Sequence, residues 1–174
     1  MPATSEASGA PGEGITGISA PSPLRLAGFL GTALGAAMLG IGSVMTWVTL
    51  SGGPAALDRV YKGLDLAQGK LCLAAAFVLL VGLMALRGAG SRRAQKIIAT
   101  VMIVAALLGL AFAGSALLSS FSSLPERVVG DQLHRGFGMF LAAAGGVVAV
   151  FGAVLDLAWA VAPVEGAAPA EEEA

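Results

Sequence analysis

Apolar residues in this chain run in four long blocks, Leu26–Leu50, Leu66–Leu86, Ile97–Leu118 and Phe137–Ala162, and nearly all of the charge falls between them. None of the blocks carries the polar stripe that a water-facing helix shows every few residues. A hydrocarbon core about 30 Å thick takes roughly 20 apolar residues at about 1.5 Å of rise each, and the first and third blocks meet that length outright. The second has Lys70 near its start. Asp65 followed three residues later by Gln68 reads as a capping box, so a helix over 66–87 gains full length with Lys70 snorkelling to the surface. The fourth runs from Gly136 to Leu155 before it meets Asp156. The pattern predicts an all-α polytopic membrane protein, a four-transmembrane-helix bundle over residues 25–162 with spans at about 26–50, 66–87, 97–118 and 137–162.

Composition agrees and adds limits. Charged residues make up 12% of the 174 and hydrophobic ones 56%, and the mean hydropathy of +0.84 is too apolar for a water-exposed surface. A net charge of −1 with scattered Lys and Arg lacks the electrostatic footprint of a nucleic-acid binder. Residues 1–24 consist mainly of Pro, Ala, Ser, Gly and Thr, and 163–174 end in Glu171, Glu172 and Glu173. Both are expected to be disordered tails, since neither holds enough apolar surface to offset the entropy of ordering. The N-terminal tail has no basic n-region, so the first span is expected to be a retained anchor.

An even number of spans puts both tails on one side. With the termini inside, Arg25, Arg87, Arg92, Arg93 and Lys96 are cytoplasmic, and Arg59, Lys62, Lys70, Arg127 and Arg135 lie opposite, a tie of five against five. The 87–96 connection, with four basic residues and no acid, suits a tight cytoplasmic hairpin. The expected topology is therefore multi-pass in the plasma membrane with N- and C-termini cytoplasmic. Trp47 and Trp159 then close opposite ends of the first and fourth spans, as interfacial belt residues do. Between spans, Asp58–Lys62, with Pro54 before it and Gly63 after, reads as a short surface helix.

Helices in lipid associate through close van der Waals contact, which favours small residues on one face. Gly28, Gly35 and Gly42 recur every seven residues in the first span, with Gly31 making a GxxxG pair with Gly35; Met38 and Met45 share that face. In the fourth span Gly138, Ala142, Gly145, Ala149 and Gly152 alternate by four and three, the spacing of a left-handed seam. Both faces are expected to make tight contacts, within the bundle or across a homo-oligomer. The third span has a weaker stripe in Ala105, Gly109 and Ala113.

Asp156 continues the fourth stripe four residues past Gly152, at the cytoplasmic edge of the hydrocarbon. Arg25, Arg87 and Lys96 sit at that level on the other spans, which makes the four a candidate ion-pair latch; the plainer alternative is an aspartate marking the end of the apolar segment. Elsewhere the sequence offers little chemistry. One His (His134) and one Cys (Cys72) cannot assemble a zinc or haem site. No phosphate-binding glycine loop, GxSxG or HExxH motif appears. No catalytic, cofactor-binding or metal residues are expected, and no cofactor.

In layout the chain resembles small four-span membrane proteins of high-GC Gram-positive (actinobacterial) type. The features that carry this are Ala/Gly richness, Arg over Lys, the Pro/Ser/Gly N-tail, Trp47 closing the first span, Gly69-Lys70 ahead of the second and the acidic C-tail. The resemblance spans the whole chain but rests on no family-specific motif; it implies residence in the plasma membrane and no particular activity. The expected role is a non-enzymatic accessory or assembly subunit of a membrane complex, whose partners are the lipid bilayer and a membrane protein. The alternative is a small transporter or channel component, alone or as a homo-oligomer.

Overall fold

A computed structural model of the chain describes residues 22–51, 59–118 and 132–162. Four helices long and apolar enough to cross a membrane dominate it: α1 (Pro23–Val44), α2 (Ala67–Gly88), α3 (Arg92–Leu118) and α4 (Phe137–Val161). Three short strands, β1 (Thr46–Ser51), β2 (Arg59–Lys62) and β3 (Gln132–Arg135), form one antiparallel sheet in the order β2-β1-β3. The protein is thus a polytopic four-helix bundle capped at one end by a small sheet.

The first span is shorter than its apolar block. At about 1.5 Å per residue, the 22 residues of α1 rise about 33 Å, enough for the hydrocarbon core without Met45–Leu50. Thr46, Trp47, Val48 and Thr49 are β-branched or aromatic, and they pair as β1 instead. The expected surface helix over Asp58–Lys62 is likewise corrected. Arg59–Lys62 is strand β2, with Thr49 opposite Val60 and Val48 opposite Tyr61; Pro54 and Asp58 lie outside the described residues.

Helix starts also move. Asp65 and Gln68 do not cap α2, whose N-cap residue is Leu66 without a side-chain bond. The Asp65 carboxylate accepts from the Lys62 backbone N–H at 2.8 Å instead, closing a single 3₁₀ turn over Gly63–Asp65. Ser22 caps α1, its hydroxyl accepting from Arg25 N, so the helix begins inside the stretch assigned to the tail. The rest of that tail, 1–21, and the C-terminal tail, 163–174, lie outside the described residues. In α3 the helix takes in Arg92, Arg93 and Lys96, because Ser91 Oγ accepts from Ala94 N at 3.2 Å. The basic connection is therefore three residues, 89–91.

Side chains sort as packing in lipid requires. The interior is lined largely by alanine and glycine, among them Ala36, Ala76, Ala106, Ala142 and Ala149, with Leu39, Leu79, Met102 and Met139 filling the space between. Leu30, Phe77, Met84, Phe140 and Phe151 face outward. The helices form a ring, α1 against α2 and α4, and α3 against α2 and α4, with the α1–α4 contact the most extensive.

Trp47 does not occupy an interfacial belt. The register shift in β1 between Thr46 and Val48 turns its side chain into the bundle, where it is fully buried and its indole N–H donates to Gly42 O at 2.8 Å. Gly63 and Gly136 lead out of β2 and β3, and their N–H groups donate to Met45 O (3.0 Å) and Trp47 O (2.7 Å). The Met45–Trp47 turn therefore joins the sheet to three helices at once.

Candidate functional site

The α1–α4 seam is where the predicted glycines meet. A side chain placed on Gly31 would meet Gly152 Cα at 3.1 Å; on Gly42, Ala142 N at 2.6 Å; on Gly145, Leu39 N at 2.6 Å; on Gly138, Met45 Cβ at 2.6 Å. Gly35 lies equally close to Ala149, and Gly152 to Thr32. The register is antiparallel: as contacts climb α1 from Gly28 to Gly42 they descend α4 from Asp156 to Ala142, in steps of three or four residues on each helix. Backbone meets backbone along the whole seam, which only small residues permit. The stripe in α3 faces inward too, with Gly109 against Ala75 and Leu39.

The seam ends at a buried carboxylate. Asp156 is 1% exposed, and Gly28 is what makes room for it, since a Cβ there would lie 2.5 Å from Asp156 Oδ1. Its hydrogen-bond partner is Thr32, whose hydroxyl donates to Oδ2 at 3.0 Å. Thr32 is itself fully buried, one turn beyond Gly28 on the same face. The sequence carried a signal for it, a hydroxyl on the seam face of an otherwise apolar span, but β-branched Thr is common in apolar segments.

Two of the three expected cations flank the carboxylate. Arg25, Arg87 and Asp156 line one cleft of about 180 Å³, walled by Leu26, Phe29 and Leu86. The guanidiniums rest on aromatic faces: Arg25 stacks over Trp159 at 4.4 Å from the ring centroid and Arg87 over Phe29 at 4.1 Å. Lys96 does not line the cleft; it is exposed near the start of α3. Beside these, the Arg92 guanidinium donates to Ala162 O at the end of α4 and ties α3 to it. These ring platforms and this tie depend on which helices are neighbours, so spacing within one helix could not disclose them.

Other candidates are structural in their surroundings. Cys72 is fully buried, with its thiol 3.6 Å from Gly109 O. His134 is exposed on β3 opposite Thr49. Among the described residues no three His, Cys, Asp or Glu side chains gather as a metal site. The cleft around Asp156 is thus the one place among these candidates where charge, a buried polar pair and open volume coincide. No protein-family model matches the sequence, and no curated protein matches it either.

Proposed function

We propose that the protein is a non-enzymatic accessory or assembly subunit of a membrane complex, resident in the plasma membrane with both termini cytoplasmic. The observation that carries this reading is the closure of the α1–α4 seam. Glycine backbones in contact along its length leave no polar passage there, and every buried side-chain N or O among the described residues has a partner. A conduit needs polar groups lining a path, whereas a scaffold needs a rigid bundle with an apolar exterior. The basic residues Arg87, Arg92, Arg93 and Lys96 at the terminal end support the inward orientation of that end.

The second reading is a small transporter or channel component that conducts between copies of the chain. It draws on the broad apolar faces of α2 and α3, which expose Phe77, Val81, Val101 and Val104. Crosslinking and affinity capture from native membranes separates the two. Stoichiometric recovery of an unrelated membrane protein, whose level falls when this chain is deleted, supports the accessory role. Self-association together with solute flux in liposomes rejects it in favour of the transporter.

A further inference from the structure

The cleft beside Asp156 adjoins a larger apolar groove between α1 and α2. The two share Phe29, Leu83 and Arg87 along their walls, and the groove, about 420 Å³, continues past Ala33 and Leu80 toward the middle of the bundle. Its volume is within the range of ligand-sized clefts, roughly 300–1,000 Å³. Arg25 lies in the first turn of α1 and Arg87 in the last turn of α2, so both guanidiniums sit where the hydrocarbon gives way to headgroups.

We propose that this site binds one anionic phospholipid, its phosphodiester between Arg25 and Arg87 and one acyl chain in the α1–α2 groove. Three observations converge on that ligand. First, stacking on Trp159 and Phe29 fixes both guanidiniums by their faces, while no acceptor among the described residues bonds their N–H edges. Those edges are what a phosphate oxygen pair engages. Second, the charges suit that ligand: Arg25 and Arg87 bring two positive charges to the mouth, an ionised Asp156 offsets one of them, and a phosphodiester carries one negative charge. Third, the wall below the charged mouth is apolar throughout, made of Phe29, Ala33, Leu80 and Leu83, which suits a hydrocarbon tail and not a free anion.

Asp156 has a defined part in this arrangement. One of its oxygens is held by Thr32, and its charge limits the site to a singly charged headgroup. The carboxylate would repel a phosphomonoester dianion more strongly than a diester. The site is distinct from a general attraction of anionic lipid to basic loops, because Arg92, Arg93 and Lys96 line neither the cleft nor the groove.

The test uses the full chain purified in an uncharged detergent, titrated with phosphatidylglycerol, phosphatidylcholine or glycerol phosphate and read by native mass spectrometry. One phosphatidylglycerol should bind about tenfold or more tighter than phosphatidylcholine, because both present the same phosphodiester but the choline cation of the second cancels its charge and is repelled by the two guanidiniums. Glycerol phosphate should not displace it. Equal binding of the two lipids overturns the proposal, and displacement by glycerol phosphate overturns it in favour of a free-anion site. The double variant Arg25→Gln/Arg87→Gln should lose the preference and Arg93→Gln should keep it; an equal loss in Arg93→Gln reduces the effect to surface charge and rejects the site. Asp156→Asn, which keeps an acceptor for Thr32, should tighten phosphatidylglycerol binding, and weaker binding in that variant contradicts the charge balance.

Discussion

Thr32 and Asp156 show how one hydroxyl can make a carboxylate tolerable inside a helix bundle. A buried charge without partners is costly, and a hydrogen bond to an ionised group contributes about 1.5–3 kcal/mol. Thr32→Val keeps the shape and deletes the donor, so it should lower stability by about 1–3 kcal/mol, the cost of an orphaned buried polar group. Asp156→Asn keeps an acceptor for the Thr32 hydroxyl at 3.0 Å and should be milder. In the Asp156→Asn background, Thr32→Val should then cost less than it does alone. A double-mutant cycle by thermal unfolding in detergent checks this, and strictly additive effects would show that the pair is not coupled. If Asp156→Asn also left assembly and phenotype untouched, a latch role for the carboxylate would be discarded.

At the scale of elements, the seam makes opposite predictions for glycines that composition cannot tell apart. Gly35 faces the backbone of Ala149, where a Cβ would come within 2.6 Å of the Ala149 Cα. Backbone cannot swing aside, so even Gly35→Ala must separate α1 from α4, and Gly35→Leu must do so further. Overpacking of this kind costs about 1–3 kcal/mol. Gly114 in α3 has nothing within 4 Å of such a Cβ, and Gly114→Ala should leave stability unchanged or raise it slightly through helix propensity. Melting curves of the two alanine variants in one detergent compare them directly. Equal melting temperatures would mean that the α1–α4 contact is not what holds the bundle. Trp47 belongs to the same scale, because its indole on Gly42 O ends α1 and anchors the sheet to the bundle.

For the molecule as a whole, orientation turns on how the basic residues cluster, because among the described residues four lie at one end and five at the other. The sheet end carries Arg59, Lys62, Lys70 and Arg135, while Arg25, Arg87, Arg92, Arg93 and Lys96 cluster at the other. Gly90 lies in the short α2–α3 connection with open space around it. Gly90→Cys should be labelled by a membrane-impermeant thiol reagent only after the cells are opened. The native thiol gives little background, since Cys72 is fully buried. Labelling of intact cells would reverse the topology and, with it, the leaflet from which the α1–α2 groove draws its lipid.

Length and periodicity in the sequence were enough to determine four spans, their approximate limits and the glycine faces of α1 and α4. Bilayer thickness and the helical repeat are local rules that each segment obeys by itself. The sequence also singled out Asp156, since a lone carboxylate on a small-residue face is conspicuous in an apolar segment. It did not show that the end of the first apolar block leaves the helix for β1, because a strand there depends on β2 and β3, nine or more and more than eighty residues away in the chain, to satisfy its backbone groups. Nor could it pair Asp156 with Thr32, Arg25 with Trp159 or Arg87 with Phe29. Those partners lie on different helices, and which side chains face one another across a seam is fixed only when the helices settle into a register.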